Sequence, residues 1–339
     1  MKKIDVFNHI FPSGFFKKML EVAGEHKDLG KRVRNIPCIY DLNVRFPVMD
    51  QFDDYAQILS LGSPPIEVMA KDNALANDMA KLANDGLAEL CQQYPDRFPG
   101  FIASVSLADP AAACKEATRA VKELGAVGVQ IFSNVRGEPL DRPKFEPFFA
   151  TMEKLDRVTW IHPARGANHA DYMDEDKSKY EIWWTFGWPY ETSVAMARLV
   201  FSGIMDRHPG FNLLAHHMGA MVPYFEGRVG PGWDQLGART SDEDLGALLK
   251  KLRKRPLDYF KSMYVDTAVF GSVPATKCGL EFYGADKVLF ASDSPFDPEK
   301  GAGYIRATID IIDNLDISDE DRRKIYVGNA EKIMKRSFT

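Results

Sequence analysis

Several features that would place this 339-residue chain in a special class are missing from it. No apolar run reaches the roughly 18 residues that suggest a membrane-spanning helix. The N-terminal residues Met1-Lys2-Lys3 lead directly into a short apolar strand rather than into a secretion signal. The net charge of -5 and the lack of a basic stripe argue against a nucleic-acid-binding protein. We therefore expect no membrane partner and no nucleic-acid partner.

Cysteine is scarce as well, and its spacing excludes two further classes of protein. The chain has four cysteines and no Cys-x-x-Cys pair, so neither a zinc knuckle nor a disulfide framework is indicated. Disulfide frameworks belong to oxidising compartments, and we expect a cytoplasmic protein. The cysteines are Cys38, Cys91, Cys114 and Cys278.

Strand-like apolar runs alternate with segments of helical periodicity almost to the end of the chain, and no repeat or low-complexity linker divides it. This alternation is typical of βα units around a parallel sheet. It predicts a single α/β domain over residues 1–339, in the form of a (β/α)8 TIM barrel. The eight predicted strands lie near residues 3–8, 56–62, 101–107, 127–132, 158–162, 211–216, 262–268 and 287–292.

Two connecting segments are longer than a βα unit requires: residues 10–52 after the first strand and residues 164–190 after the fifth. Both should emerge at the carboxyl-end face of the barrel and roof the site there. The second segment is rich in aromatic residues, including Trp184, which could form a wall for a flat substrate. Lid packing or a subunit contact would explain the same residues equally well.

Four predicted strands end on an imidazole or a carboxylate: His9, His162, His217 and Asp293. The carboxyl ends of the strands are where parallel barrels keep their chemistry. Because His216 precedes His217, strand alternation predicts that only one of this pair enters the barrel. Alternation also predicts that Asp5 shares a face with His9. Three other histidines lack a strand-end context and should be surface or structural residues; these are His26, His169 and His208.

The histidines and the aspartate at the strand ends predict a metal site. His9, His162 and Asp293 could hold a divalent cation, because imidazole and carboxylate suit zinc or manganese. Three protein ligands would leave an open position for chemistry.

Many short motifs, in order along most of the chain, carry a family resemblance. They include Pro95-Asp96-Arg97-Phe98, Leu124-Gly125-Ala126-Val127-Gly128, Ile161-His162-Pro163, Asp206-Arg207-His208-Pro209, His217-Met218-Gly219, Gly284-Ala285-Asp286-Lys287 and Ser292-Asp293 with Pro295-Phe296. With them the chain resembles the amidohydrolase-related branch of the metal-dependent amidohydrolase superfamily. Within that branch it resembles in particular the decarboxylases of the γ-resorcylate and aminocarboxymuconate-semialdehyde type.

The resemblance implies a TIM barrel of the metal-dependent amidohydrolase type with one divalent metal, zinc before manganese. His162 and Asp293 match metal ligands, and Asp293 with His217 would act in catalysis. Arg228 falls where relatives bind the substrate carboxylate, a role that suits its planar fork. Phe296 matches an aromatic position beside the substrate ring.

The chain departs from the family pattern at two positions. Relatives begin with His-x-His or Glu-x-His, but here the motif is Phe7-Asn8-His9, and a phenyl ring cannot coordinate a metal. Either His9, His162 and Asp293 hold the metal with solvent, or this protein has lost it; we favour retention, with Phe7 contacting the substrate. The second departure is Ala220, where resorcylate-type enzymes carry a glutamate.

These observations favour a metal-dependent non-oxidative decarboxylase, a carbon–carbon lyase, of a small aromatic or dienoic carboxylic acid. A hydrolase or hydratase that uses metal-activated water is the alternative within the family. A metal-free binding protein on the same scaffold is the third interpretation, because of Phe7. We also expect a homo-oligomer, either a dimer or a tetramer.

Overall fold

Eight parallel strands alternate with helices in the computed structural model, which describes residues 1–23 and 31–338. The strands of this sheet are adjacent in the order β1-β2-β3-β4-β7-β8-β9-β10, so neighbours in sequence are neighbours in space. Their bounds are β1 Lys3–His9, β2 Tyr55–Ser60, β3 Gly100–Ser104, β4 Gly128–Phe132, β7 Val158–His162, β8 Leu213–Ala215, β9 Tyr264–Asp266 and β10 Val288–Leu289. A small antiparallel pair, β5 Asn134–Val135 and β6 Glu138–Pro139, follows β4.

Backbone hydrogen bonds join the first strand to the segment that follows the last. The amide of Val6 donates to the carbonyl oxygen of Phe290 at 2.9 Å, and the amide of His9 donates to that of Ser294 at 2.8 Å. The amide of Asp293 in turn donates to the carbonyl oxygen of Phe7 at 3.1 Å. The sheet therefore curls into a barrel, as the alternating pattern predicts.

The larger helices lie between the strands, and polar caps fix where several of them begin. Asp72, Asp109 and Ser272 each accept a hydrogen bond from a backbone amide three residues on, which satisfies a first-turn donor. The principal helices are Ser13–Ala23, Leu42–Met49, Asn73–Gln93, Pro110–Lys122, Glu146–Leu155, Gly187–Phe201, Leu245–Lys251, Pro256–Ser262, Val273–Tyr283, Gly303–Asp313, Asp319–Arg323 and Asn329–Met334.

The apolar core has an inner part and an outer part. Ile4, Val6, Ile58, Ile102 and Trp160 belong to the inner cluster, to which the C-terminal helix also contributes. The larger outer cluster lies between the strands and the surrounding helices. Inside the barrel, a Cβ on Gly128 would lie 2.3 Å from Trp160, so only glycine lets this indole fill the interior.

The structure departs from the predicted elements in three places. The last three barrel strands are shorter than predicted and end at Ala215, Asp266 and Leu289. Helical periodicity predicts one helix from Glu191 to Asp206, but the helix breaks at Gly203, which has a φ of 75°.

The third difference is a bulge in β1 between Asp5 and Asn8, which interrupts the strand alternation. Phe7 therefore joins the inner cluster, whereas Asp5 bonds to Tyr55 and Ser292.

Two findings concern the membrane-protein and disulfide-rich classes that the sequence argues against. No helix among residues 1–23 and 31–338 is long and apolar enough to cross a membrane. All four cysteines are free, as their scattered positions predict.

Candidate active site

Strand register brings polar side chains from three neighbouring strands to one level of the barrel. Ile161 of β7 pairs with Ala215 of β8, and Ala215 pairs with Val265 of β9. The next residue along each strand is therefore His162, His216 or Asp266. All three side chains are buried, and they form one side of the candidate site.

The opposite side comes from the two ends of the chain. His9 ends β1, and its Nε2 lies 3.0 Å from Oδ1 of Asp293, which follows β10. Asp5 holds this segment in place: its carboxylate accepts hydrogen bonds from the Ser292 hydroxyl at 2.5 Å and the Tyr55 hydroxyl at 2.6 Å. Burial raises the pKa of Asp5 to about 6, although these hydrogen bonds oppose the rise.

His216 and His217 both face Asp293, so the prediction that only one of them enters the barrel is wrong. β8 ends at Ala215, and His217 and Met218 take left-handed backbone angles with φ of 58° and 57°. This turn stacks the two imidazoles with their centroids 3.6 Å apart. Nε2 of His216 lies 3.5 Å from Oδ1 of Asp293, and Nε2 of His217 lies 3.5 Å from Oδ2.

The same turn explains a glycine requirement. Gly219 has a φ of 70°, and a Cβ there would lie 2.1 Å from the Tyr283 hydroxyl. Left-handed angles cost non-glycine residues about 1–2 kcal/mol each, so the surrounding structure must hold His217 and Met218 in place. Such strain is most often found at functional sites.

Three of the imidazoles share one pattern of hydrogen bonding. Nδ1 of His9 lies 3.0 Å from the Leu61 carbonyl oxygen, and Nδ1 of His162 lies 2.8 Å from that of Pro163. Nδ1 of His216 lies 2.7 Å from Oδ2 of Asp266. An oxygen acceptor keeps a proton on Nδ1, and it therefore leaves the lone pair of Nε2 free for a metal.

The donor atoms are close enough to surround one ion. Ligand atoms of His9, His162 and His216 lie within 4.8 Å of one another, and so do those of His216, His217 and Asp293. Nε2 of His9, His216 and His217 is buried without a hydrogen-bond partner, which a metal or a substrate would supply. This His/Asp group could therefore bind a metal.

Charge in the site is dominated by carboxylates that face imidazoles. Burial works against an ionised Asp293, but the imidazoles of His216, His217 and His9 beside its carboxylate outweigh this effect and hold its pKa well below the usual range. Burial likewise lowers the pKa of His162 well below its ordinary value. For His216, burial is outweighed by Asp266 and Asp293, which raise its pKa to about 9. The carboxylates that attract a proton to His216 would also attract a metal cation.

Aromatic rings line the space around these groups. Phe7 is fully buried, with its ring centroid 4.1 Å from that of His216 and 5.1 Å from that of His9. Phe296 lies 5.5 Å from His9, and Trp188 from the long segment 164–190 lies 5.5 Å from His162. The predicted roof segment 164–190 therefore packs against His162.

A cation from the other long segment lies at the same wall. The guanidinium of Arg32 is 4.9 Å from the Phe296 ring and 5.9 Å from the Trp184 ring. It also donates a 2.6 Å hydrogen bond to the Phe296 carbonyl oxygen. Trp184 and Phe296, both predicted to bind substrate, thus lie beside one arginine.

Arg228 is placed differently. Its side chain is exposed, and its guanidinium lies 5.8 Å from the Phe225 ring. None of the contacts found among residues 1–23 and 31–338 joins Arg228 to the histidines or to Asp293. The structure does not bring this arginine into the group that the other predicted residues form.

The histidines outside the group have different surroundings. His208 lies 2.7 Å from Glu146 and 3.2 Å from Glu153, which is a structural ion-pair arrangement. His169 is exposed. His26 lies outside the described residues.

The sequence reasoning missed three residues of this site. The adjacent pair His216-His217 was a visible signal, but strand alternation assigned one of the two to the outside. Asp266 is the last residue of β9. The rule that identified Asp293, which looks for a carboxylate where a strand ends, could have found Asp266 as well. Arg32 lies in a four-residue helix, Lys31–Arg34, and no periodic pattern marks it.

Comparisons with known proteins show what the chain is similar to. The family model described as Amidohydrolase matches residues 4–336. The γ-resorcylate decarboxylase of Polaromonas sp. (strain JS666 / ATCC BAA-500) is 34% identical over 310 residues, which cover 88% of this chain and 87% of the relative.

Two solved structures are similar over nearly their whole length. A dihydroxybenzoic acid decarboxylase from Polaromonas sp. JS666, with bound manganese and the inhibitor 2-nitroresorcinol, superposes with a TM-score of 0.79 at 28% identity, covering 99% of this chain and 98% of that one. The second structure is a 5-carboxyvanillate decarboxylase from Novosphingobium aromaticivorans DSM 12444 with manganese and 4-hydroxy-3-methoxy-5-nitrobenzoic acid. It superposes with a TM-score of 0.83 at 27% identity, covering 99% of this chain and 96% of that one.

Proposed function

Because the chain belongs to the amidohydrolase family, we propose that it is a metal-dependent non-oxidative decarboxylase of a small aromatic carboxylic acid. The observation that carries the proposal is the group of His9, His162 and Asp293 at the strand ends, which lies beside buried aromatic rings. Imidazole and carboxylate ligands next to an apolar wall suit an anionic aromatic substrate held at a metal.

His9, His162 and Asp293 would hold the metal in this proposal. The Nδ1 contacts to Leu61 and Pro163 leave the Nε2 atoms of the two histidines available. Manganese is favoured over zinc, because two similar decarboxylase structures carry manganese. Once bound, the metal would supply positive charge that orients the substrate and withdraws electron density from its oxygens.

His217 and Asp293 would perform the proton transfer. The side chain of His217 is 10% exposed, so its imidazole reaches the space that a substrate can enter, and Nε2 points toward Asp293. A proton on Nε2 of His217, oriented by Oδ2 of the ionised Asp293, passes to the ring carbon that bears the carboxylate. The bond between this carbon and the carboxylate then breaks, carbon dioxide leaves, and the electron pair restores the aromatic ring. Positioned acids of this kind contribute about 10²–10⁴-fold to a rate.

Substrate binding would use the aromatic wall and an arginine. Phe7, Phe296 and Trp184 offer rings against which an aromatic acid can pack. Arg228 is the predicted carboxylate ligand. Arg32 is a second candidate, since it already lies at the wall, and a guanidinium has five N–H donors of which only some are engaged there.

The proposed function is tested by assaying hydroxybenzoates and heterocyclic aromatic acids for carbon dioxide release. Manganese-loaded protein should release carbon dioxide from at least one acid, and chelator-treated protein should not. Asp293→Asn is the matched inactive control, since it preserves shape and removes the carboxylate. A loaded protein that decarboxylates none of the panel but hydrolyses lactones or amides would favour the hydrolase alternative.

Two further properties stay predictions. A homo-oligomer is supported by large exposed apolar side chains in segment 164–190, namely Tyr172, Met173, Tyr180, Phe186 and Tyr190. Sedimentation at several protein concentrations distinguishes a monomer from a dimer or tetramer. A cytoplasmic location is compatible with four free cysteines.

A further inference from the structure

One residue of the site has no role in the mechanism described so far. His216 is fully buried between Asp266 and Asp293, and it packs against Phe7, the residue that breaks the His-x-His or Glu-x-His pattern. The chain has therefore lost a donor atom at the end of β1, and an additional imidazole faces the same space from the end of β8.

We propose that His216 is a protein ligand of the metal and replaces the ligand that is lost at Phe7. The inference rests on the proposed function, because it presupposes that the chain binds a divalent metal. It assigns the site four protein ligands: His9 from β1, His162 from β7, His216 after β8 and Asp293 after β10.

The distances fit this assignment. Metal–ligand bonds of about 2.0–2.2 Å place neighbouring ligand atoms roughly 3–3.5 Å apart. Oδ1 of Asp293 lies 3.0 Å from Nε2 of His9 and 3.5 Å from Nε2 of His216. The ligand atoms of His9, His162 and His216 are all within 4.8 Å of one another. Small side-chain movements would bring them around one ion.

Asp266 prepares His216 for this role. Its Oδ2 binds Nδ1 of His216 at 2.7 Å, which fixes the tautomer with Nε2 free. Its Oδ1 accepts hydrogen bonds from the backbone amides of His217 and Ala268, each at 3.0 Å, so the carboxylate is itself held in place. A carboxylate behind a ligating imidazole is the usual arrangement at metal sites.

The left-handed turn after β8 separates the tasks of the two adjacent histidines. It places both imidazoles at Asp293, but on different oxygens: His216 faces Oδ1, which His9 also faces, and His217 faces Oδ2. His216 is fully buried, whereas the His217 side chain is 10% exposed. The buried imidazole therefore binds metal, and the more accessible one remains for the substrate.

The test compares the metal affinity of matched variants of the full-length protein. Manganese dissociation constants are measured by chelator competition, and bound metal is counted by elemental analysis. Loss of a residue that hydrogen-bonds to a metal ligand typically weakens metal binding by about 10–100-fold. His216→Ala, which removes a ligand itself, should weaken metal binding by more than this. Asp266→Asn should weaken binding within that range. His217→Ala should stay within a few-fold of wild type.

A second variant guards against simple misfolding. In Phe7→His combined with His216→Ala, the ligand returns to β1, and metal affinity should recover toward wild type. Wild-type affinity in His216→Ala would overturn the inference and leave the decarboxylase proposal standing with three ligands. Equal losses in His216→Ala and His217→Ala, without rescue, would also overturn it. A wild-type chain that binds no metal would overturn both proposals.

Discussion

Nε2 of His9 lies 3.0 Å from Oδ1 of Asp293, although the two residues come from opposite ends of the chain. The contact exists because the segment after β10 pairs with β1 and closes the barrel. The pairing that closes the barrel is therefore also the pairing that brings His9 and Asp293 together. This makes the geometry of the site a sensitive readout of the fold.

His217→Asn should depress the chemical step and leave the metal in place. The amide preserves the size and polarity of the side chain but cannot transfer a proton, so kcat should fall by about 10²–10⁴-fold. KM for the identified acid should change little, since the substrate's other contacts remain. Steady-state kinetics and elemental analysis on the same preparation check both statements. Unchanged kcat would remove His217 from proton transfer.

The carboxylate clamp is tested by two matched substitutions, Arg228→Lys and Arg32→Lys. Lysine keeps the charge but cannot form the bidentate pair, so replacement of the true clamp should raise KM about tenfold or more. We expect this for Arg228→Lys, with fold and metal content intact. If only Arg32→Lys shows the loss, the role passes to Arg32. If neither does, a neutral substrate and the hydrolase or hydratase alternative become the better interpretation.

Glu67 gives the fold a pH dependence of known sign. Burial raises the pKa of Glu67 from 4.5 to about 7, and the nearby charge of Arg136 offsets this only in part. Between these values the folded chain keeps a proton that the unfolded chain releases, so stability falls as pH rises. The destabilisation caused by ionising the buried Glu67 is absent below pH 4.5. It is complete above about pH 7, where it reaches at most about 3 kcal/mol.

Glu67→Gln should therefore raise the free energy of unfolding above pH 7, and its effect should shrink as the pH falls toward 4.5. Urea unfolding across this range measures the difference. Glu89→Gln, on the exposed face of the helix Asn73–Gln93, is the control and should show no such trend. A constant difference between Glu67→Gln and wild type would contradict the assignment.

Ala220→Gly should stabilise the protein by about 1 kcal/mol. Ala220 has φ 59° and ψ -119°, angles at which glycine is strongly preferred. Relief of this strain should exceed the greater entropy of glycine in the unfolded chain. Ala307→Gly, inside the helix Gly303–Asp313, should instead destabilise by about 0.5–1 kcal/mol. If both substitutions shift the urea midpoint in the same direction, the argument is refuted.

The sequence predicts this site in so far as strand ends determine it. His9, His162 and Asp293 each follow an apolar strand, and the barrel rule places such residues at one face. The shape of the turn after Ala215 was not predictable, because four successive residues, His217 to Ala220, take positive φ angles although only one of them is glycine. His216 was assigned to the outside for that reason. The bulge in β1 defeated the alternation rule for Asp5 in the same way.

Contacts that depend on long segments lay beyond sequence reasoning altogether. Arg32 and Trp184 come from different segments and meet only through tertiary packing. The position of segment 164–190 after the fifth strand predicts that it roofs the site, and the ring of Trp188 lies 5.5 Å from that of His162. The aromatic density of the segment left a substrate wall, lid packing and a subunit contact equally open. It did not indicate which cation the rings would surround.

The central claim, that a metal-dependent proton transfer at a ring carbon releases carbon dioxide, is tested most directly in deuterated water. Manganese-loaded protein is incubated with the acid identified by the carbon dioxide assay, and the product is examined by mass spectrometry and proton NMR. We predict one carbon dioxide per ring and one deuterium at the carbon that carried the carboxylate, with neither formed after metal removal. Product that retains its carboxylate and gains oxygen from water would contradict the account.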